Sequence, residues 1–351
     1  MRENVKVGIE VGRTYTSPRS AESSVCPDTT SFFHPGGFSV IRVRLMFVLL
    51  LVLPTGCAGH RPNQAILPEI PDDFGLLLMA HGGSTDWNGG VVAAVAPLRA
   101  EYPVEVAFGM ADAVSIQDAI GKLEARGVRR IGVVRLFISG ESWYDRTEQI
   151  LGLRPGAPEP PVATSHLHGS EHGDSDQIMG MEFWKVKTAS SFALSTQGLA
   201  NIPAIGAVLV DRVRALSRKP ELEDVLILAH GAGDDSQNER WRAYIDARAV
   251  PVREFLPFRR VEVETLREDW PEKRAESEQR IRAYVKRASD EGGTAIVIPF
   301  RVYGFGPYAQ VLDSLDYVSD GQGLIPHVNV TNWIAEQART LRNGSFRSVV
   351  R

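Results

Sequence analysis

Short apolar runs alternate with segments of helical periodicity from about residue 74 onward. The runs of strand length lie at 76–80, 104–108 and 130–137, and apolar positions at helical spacing lie at 91–98 and 116–123. A fully apolar run of this length is typical of a strand buried on both faces, and strands separated by helices are typical of a parallel sheet. We therefore predict a parallel sheet flanked by helices.

The same order of elements recurs in the second half of the chain. Strand-like runs lie at 225–229, 260–264 and 294–300, with helical patterns around 241–245 and at 271–288. The stretch 198–203, which precedes a helix, also resembles 323–328. We interpret the pattern as an internal duplication. The predicted fold class is α/β, with two repeated lobes that each hold a small parallel sheet flanked by helices.

The pattern also predicts where the parts of the chain begin and end. Pro155, Pro158, Pro160 and Pro161 open a stretch without periodicity that ends in a run of histidines and acids, and we expect a mobile insertion there. The predicted parts are an N-terminal extension with a signal or lipoprotein-type segment (1–57), a linker (58–73), lobe 1 (74–219, with the insertion 155–182), lobe 2 (220–342) and a tail (343–351).

The N-terminal segment resembles an export signal. Arg42 and Arg44 precede the apolar run 45–53, which is too short to span a bilayer comfortably but has the length of a signal-peptide core. The run leads into Cys57 as in a bacterial lipoprotein signal, although Pro54 stands where a branched aliphatic residue is usual. We expect an exported protein, periplasmic or anchored to the membrane by lipidation of Cys57. It would be cytoplasmic if the signal is not used.

Composition narrows the classes of function. The chain has 351 residues, 43% hydrophobic and 23% charged, with a formal net charge of -4, which fits a globular protein and gives no general basic surface for nucleic acid. Its two cysteines precede the folded part, so any metal site there must use histidine and carboxylate ligands. There is no Gly-Lys-Ser/Thr loop, no Gly-x-Gly-x-x-Gly motif and no Gly-x-Ser-x-Gly motif, which argues against nucleotide chemistry and acyl hydrolysis.

Two histidines occupy equivalent places in the two halves. His81 follows the strand 76–80, His230 follows 225–229, and a glycine comes directly after each. Ligands of open parallel sheets bind outside the carboxyl ends of the strands, and glycine lets the backbone turn tightly there. Their recurrence at matching places in both halves favours a ligand site at His81 and His230 over a purely structural hydrogen-bonding role.

The order of these motifs resembles the type II tetrapyrrole chelatases, most of all the CbiX-type sirohydrochlorin cobaltochelatases and their ferrochelatase relatives. The resemblance rests on the apolar strand with His-Gly-Gly/Ala, on Val-Glu-Val in a following strand, and on a third strand that ends in Leu-Phe or Pro-Phe, and it covers about 74–340. It implies insertion of Co²⁺ or Fe²⁺ into a sirohydrochlorin-type tetrapyrrole, between two lobes and without a nucleotide. Such a reaction needs a metal ligand and a proton acceptor, and we expect His81 and His230 to hold the metal and His81 also to accept protons. Ni²⁺ is a further candidate, because imidazole and carboxylate also bind it.

The resemblance also implies roles for residues after the third strands. The family usually has a histidine or a glutamate there, and this chain offers Glu141 as the substitute carboxylate. For the substrate we expect guanidinium partners in Arg135 and Arg301 and an aromatic contact in Trp143. Further candidates are Arg146 as a guanidinium, Trp87, Tyr144, Tyr303, Phe305 and Tyr308 as walls of a flat slot, and Glu264 as a ligand.

Two further hypotheses stay open. The insertion contains His166, His168, Glu171 and His172 followed by Asp174 and Asp176, a composition that suits capture of divalent metals or simply a polar linker. The export signal and the missing histidine after the third strand also fit a non-catalytic, exported metal- or tetrapyrrole-binding protein.

Overall fold

The computed structural model describes residues 73–161 and 181–349. Its first eight elements confirm the alternation that the sequence predicts. They are β1 (Phe74–Ala80), α1 (Thr85–Val95), β2 (Val104–Phe108), α2 (Ala113–Ala125), β3 (Arg130–Leu136), α3 (Tyr144–Ile150), β4 (Ser191–Leu194) and α4 (Ile205–Leu216). Pro97 lies in a 3₁₀ turn directly after α1, since its ring cannot continue the helix.

The second half repeats this order. Its elements are β5 (Glu223–Ala229), α5 (Asp235–Phe255), β6 (Arg260–Thr265), α6 (Pro271–Asp290), β7 (Thr294–Phe300), α7 (Tyr308–Val311), β8 (Tyr317–Val318) and α8 (Val328–Arg342). The two four-stranded sheets have the orders β2-β1-β3-β4 and β6-β5-β7-β8, and every pair of neighbouring strands is parallel. The predicted α/β fold class with two parallel sheets is confirmed.

Each central strand is buried on both of its faces. Every residue of β1 and of β5 is buried. In β1 the side chains of Leu76 and Leu78 join a core cluster that lies between the two sheets, and Leu77 and Met79 join a cluster beneath α2 on the outer face. Because successive side chains of a strand point to opposite faces, only a continuous apolar run can fill both clusters.

The last helix of each half packs on the other half. Helix α4 packs against α5 and β7, and α8 packs against β3, β4 and α1. The core cluster between the sheets accordingly contains residues of both halves, such as Leu76 and Leu209 from the first and Val225 and Trp333 from the second. The predicted division into 74–219 and 220–342 follows the order of the chain. In the packing, however, α4 of the first half lies on the second half and α8 of the second half lies on the first. Periodicity could not reveal this, because it shows that a helix has an apolar face but not which sheet covers it.

The predicted tail is attached to the first sheet along its described part. Phe346 lies edge-on to Phe74, with ring centroids 6.2 Å apart, and Arg347 forms an antiparallel bridge to Phe192 of β4. Arg347 also pairs with the buried Glu148 at 2.6 Å. Residues 343–349 of the predicted tail therefore pack on the first half.

Several predictions lie outside the described residues. These are the signal segment with Cys57, almost all of the linker, and the histidines and acids at 166–176 of the insertion. Within the described ranges, none of the helices combines the length and the apolar character needed to cross a membrane.

Candidate functional site

His81 lies at the carboxyl end of the first sheet, one residue beyond β1. Its Nδ1 is 2.8 Å from the carbonyl oxygen of Gly82, whose φ is +82°. A carbonyl oxygen can only accept a hydrogen bond, so the imidazole carries its proton on Nδ1 when neutral, and its lone pair is then on Nε2. The side chain is exposed. His81 is thus held in the tautomer that can bind a metal ion through Nε2.

His230 repeats this arrangement one residue beyond β5. Its Nδ1 is 2.8 Å from the carbonyl oxygen of Gly231, whose φ is +87°. A residue with a side chain rarely adopts this left-handed conformation, which explains the glycine after each histidine. The pairing of the strands explains why the two histidines occupy equivalent positions. Ala80 of β1 pairs with the last residues of β2 and β3, and Ala229 of β5 pairs with the last residues of β6 and β7.

An asparagine from the following helix fixes each histidine loop. The side-chain oxygen of Asn88 in α1 accepts a hydrogen bond from the amide of Gly83 at 3.0 Å. That of Asn238 in α5 accepts one from the amide of Ala232 at 3.1 Å. The sequence analysis did not use these residues, although an asparagine at the start of the helix after each histidine is visible in both halves.

The surroundings of the two histidines differ in their carboxylates. His230 Nε2 is 3.1 Å from Asp269 Oδ2 and 3.5 Å from Glu268 Oε1. Glu268 also forms an ion pair with Arg301, which follows β7. Within the described ranges, 73–161 together with 181–349, no carboxylate lies within ion-pair distance of His81. The two halves therefore share the position of the histidine, but only the second half supplies acidic partners.

These contacts shift the pKa values of the ionisable groups. Burial acts to lower the pKa of His230, but the hydrogen bond to Asp269 and the charge of Glu268 outweigh it, so the pKa is raised. The hydrogen bond from His230 lowers the pKa of the Asp269 carboxyl, burial opposes this, and the charges of His81 and Arg301 lower it further. His81 in the first half and Asp269 in the second thus lie within electrostatic range of each other.

Glu268 and Asp269 were not among the predicted site residues. They lie in the loop after β6, at the same sheet edge as His230, so their position beyond a strand end was the available signal. Glu264 was named as a further candidate ligand instead. It lies inside β6 and is only 9% exposed, and its carboxylate is 3.5 Å from Arg242 and 3.7 Å from Arg280. A carboxylate held between two guanidinium groups is poorly placed to bind a metal ion, so the structure does not support Glu264 as a ligand.

Arg135 holds the loop after β3 in place from the interior of the protein. It is 1% exposed, and it donates hydrogen bonds to the carbonyl oxygens of Ser195 at 3.1 Å, Ser142 at 2.7 Å and Gly140 at 2.6 Å. Its guanidinium also stacks on the ring of Tyr144, 4.5 Å from the centroid. Burial lowers the pKa of Arg135 to about 10. Its donors face the loop, and these contacts give no support to the predicted role in substrate binding.

Glu141 faces the helix α5 of the second half. Its Oε2 accepts hydrogen bonds from Gln237 at 3.1 Å and from Arg240 at 3.3 Å. The bond from Gln237 and the charge of Arg240 lower the pKa of Glu141 against the opposing effect of burial. Glu141 also lines an open cavity of about 680 Å³ that is bounded by the loops after β3 and β4 and by Tyr244 of α5. Neither strand-end histidine lines this cavity.

The remaining predicted residues divide between the crevice and the core. Arg301 lies beside Glu268. Burial acts to lower the pKa of Arg301, but its interactions with Tyr308 and Glu268 outweigh this, so the pKa is raised. Tyr308 itself is fully buried, and Trp143 packs against the outer core cluster of the first sheet, as Phe305 does against that of the second. The other predicted guanidinium, Arg146, donates to backbone carbonyls of Ala111, Met181 and Glu182. Of the three predicted substrate residues, only Arg301 lies beside the histidine cluster.

No described group matches a complete metal site. Among residues 73–161 and 181–349, three or more His, Cys, Asp or Glu side chains are nowhere grouped so that they could hold an ion.

Comparison with solved structures shows which fold this is. SirB from Bacillus subtilis with Fe³⁺ has a TM-score of 0.50 at 14% identity, over 76% of this chain and 95% of that one. The sirohydrochlorin chelatase SirB from Bacillus subtilis subspecies spizizenii in complex with cobalt has a TM-score of 0.46 at 12% identity, over 77% of this chain and 95% of that one. The chain has the chelatase fold.

A further structural neighbour is longer than this chain. It is a multi-domain protein from Deinococcus radiodurans with structural similarity to chelatases, and the match has a TM-score of 0.45 at 16% identity, over 77% of this chain and 55% of that one. No protein-family model matches the chain, and no curated protein matches it by sequence. The resemblance to type II chelatases is confirmed at the level of the fold, and its assignment to the cobaltochelatase branch remains a prediction.

Proposed function

We propose that the chain inserts a divalent metal ion, Co²⁺, Fe²⁺ or Ni²⁺, into a free-base tetrapyrrole of the sirohydrochlorin type. One observation carries the proposal: a histidine follows a central strand in each half, its Nδ1 donates to the carbonyl oxygen of the next glycine, and Nε2 of His81 is thereby left able to bind a metal ion. The chelatase fold is consistent with this activity. The reaction needs no nucleotide.

The chemistry requires both a metal ligand and proton acceptors. Two pyrrole N–H protons must leave as the cation enters the macrocycle, and a neutral imidazole can serve either purpose near pH 7. In the proposal Nε2 of His81 holds the incoming ion and, once the ion has passed into the macrocycle, accepts one pyrrole proton, while the other proton leaves to solvent; His230 is the second ligand. Asp269 and Glu268 are the carboxylates beside His230, so they take the part first expected of Glu141.

The substrate's acidic side chains need cationic partners. Arg301 is the predicted guanidinium that lies beside the histidine cluster, and its ion pair with Glu268 fixes its position. We propose that Arg301 binds one carboxylate of the tetrapyrrole. Glu141 belongs to the neighbouring cavity wall, where it joins the first half to α5.

The test is to mix the purified chain with sirohydrochlorin and one of the three metal ions and to follow the absorbance of the product. His81→Ala should lower the rate about 10²- to 10⁴-fold, the range expected for loss of an acid–base group. His327→Ala is the matched control, since His327 pairs with Asp211 at 3.1 Å and belongs to neither histidine loop. A rate that His81→Ala leaves unchanged contradicts the proposal.

The second candidate function is that of a non-catalytic metal- or tetrapyrrole-binding protein. The contact of His230 Nε2 with Asp269 favours it, because an imidazole paired in this way must lose a proton before it can act as the second metal ligand that turnover needs. Stoichiometric binding of metal or tetrapyrrole without turnover in the same assay would select this function.

We also propose that the protein is exported and anchored through a lipid on Cys57. The basis is the apolar run 45–53 after two arginines. Labelling of cells with a radioactive fatty acid should mark the chain and not its Cys57→Ser variant. Recovery of the unlabelled chain in the cytoplasm contradicts the proposal.

A further inference from the structure

A tryptophan lies beside each strand-end histidine. The ring centroids of His81 and Trp87 are 6.2 Å apart, with an interplanar angle of 56°. Those of His230 and Trp270 are 6.0 Å apart, at 85°. The two halves therefore repeat the tryptophan as well as the histidine.

Each indole lies directly against a glycine of the histidine loop. A Cβ atom on Gly83 would be 3.1 Å from Cγ of Trp87, and one on Gly233 would be 2.3 Å from Nε1 of Trp270. The contact at Gly233 leaves no room for a side chain unless the indole moves, whereas a Cβ on Gly83 would require Trp87 to shift by only a few tenths of an ångström. The strands position the histidines, and these glycines let an indole approach each loop closely.

The two tryptophans come from different places in the sequence. Trp87 is inside α1, in the helix that directly follows His81, whereas Trp270 precedes α6 and comes after β6. A simple copy of one half would put them at matching positions. The two halves therefore share an arrangement in space, in which an indole packs on a glycine next to the histidine. In each half a different segment of the chain supplies the tryptophan.

Both indoles are accessible. Trp270 is 37% exposed, one of few large apolar side chains with that much exposure in the described residues. Trp87 is half-buried, and it lies edge-on to Phe108 at 6.4 Å, which supports it from the core side. Exposed aromatic surface next to a polar cluster is typical of a binding site for a flat, apolar ligand face.

We propose that Trp87 and Trp270 are the surfaces that hold the ring system of a planar, conjugated macrocycle next to the two histidines. This inference rests on the proposed function, and it adds the residues that select the shape of the substrate. The predicted aromatic walls included Trp87 but not Trp270. Of the other predicted aromatic residues, Tyr308 is fully buried and the half-buried Trp143 packs against the outer core cluster of the first sheet.

The test measures binding of metal-free sirohydrochlorin to the full chain, by quenching of tryptophan fluorescence and by absorbance. Trp87→Leu and Trp270→Leu keep an apolar side chain but remove the flat surface, and each should raise the dissociation constant about tenfold, equivalent to about 1.4 kcal/mol. Phenylalanine at either position should restore part of the affinity. Trp333→Phe is the control, since Trp333 is only 3% exposed and belongs to the core cluster between the two sheets.

A second variant tests the same surface without changing an aromatic residue. Gly233→Ala forces Trp270 to move, because the added carbon would overlap the indole, and its loss of affinity should match that of Trp270→Leu. Gly83→Ala should have a smaller effect, since its Cβ would meet Trp87 at a less severe distance. Co²⁺ binding, measured by calorimetry without tetrapyrrole, should stay unchanged in the tryptophan variants.

The outcomes separate this inference from the proposed function. Unchanged affinity for the tetrapyrrole in both leucine variants overturns the inference, even if metal insertion proceeds. Absence of tetrapyrrole binding by the unaltered chain also overturns it. Binding that depends on both tryptophans but leads to no metal insertion supports the inference and contradicts the proposed function.

Discussion

The asparagine that fixes each histidine loop gives a matched pair of stability predictions. Asn238 accepts a hydrogen bond from the amide of Ala232, a residue with 0% exposure, whereas Asn88 accepts one from the exposed Gly83. Replacing either asparagine by alanine removes one hydrogen bond. Only Asn238→Ala leaves a buried N–H without a partner, because water can reach the amide of Gly83.

The magnitudes follow from this difference in burial. An amide left unpaired in the interior costs about 1–3 kcal/mol, whereas the net value of a solvent-accessible hydrogen bond is about 0.5–1.5 kcal/mol. We expect Asn238→Ala to lower the free energy of unfolding by about 2 kcal/mol and Asn88→Ala by about 0.5 kcal/mol. With a urea m value of about 3 kcal/mol/M, the first change lowers the midpoint of unfolding by about 0.7 M.

The assay is equilibrium unfolding in urea, followed by circular dichroism for the unaltered chain and both variants. The reasoning predicts a clearly larger shift for Asn238→Ala at an unchanged m value. Equal shifts, or a larger shift for Asn88→Ala, would refute the argument that burial of the amide decides the cost.

Three further predictions concern charged groups. Asp269→Asn should lower the pKa of His230 in an NMR titration, and its cost in stability should be greatest at about pH 4–6.5. The raised pKa of His230 contributes stability below about pH 6.5, and the lowered pKa of Asp269 contributes stability above about pH 4. A loss of stability that does not depend on pH would contradict this prediction. Arg135→Met should cost about 3 kcal/mol or more in thermal unfolding, since it leaves three carbonyl oxygens without donors, and a neutral effect argues against this support of the loop. Arg347→Ala should cost about 1–3 kcal/mol because it removes a partner of the buried Glu148, and an unchanged melting temperature would mean that the C-terminal attachment is weak.

The fold could be predicted from the sequence because each central strand is a continuous apolar run. The runs ending at Ala80 and Ala229 must be buried on both faces, and this requirement leads directly to a parallel sheet with helices on each side. The edge strands β4 and β8 were not predicted, since they are short and lack such a run. The exchange of α4 and α8 depends on packing between distant parts of the chain, which local periodicity does not encode.

The candidate site could be predicted only in part. His81 and His230 were found because each follows a strand and precedes a glycine, a pattern that is local in sequence. The carboxylates beside His230 and the tryptophan at 270 come from the loop after β6, and their proximity depends on the pairing of β6 with β5. Arg135 illustrates the converse error, because a charged residue at a strand end was expected to face the crevice and instead supports a loop from inside.

The number of metal-tetrapyrrole molecules formed per protein chain tests the central claim most directly. Sirohydrochlorin and Co²⁺ are supplied in large excess over the purified chain, and product is measured by absorbance after subtraction of the reaction without protein. The account predicts many molecules of product per chain, falling to the level of the protein-free reaction in His81→Ala. One molecule or less per chain, or the same yield from His81→Ala, would contradict it.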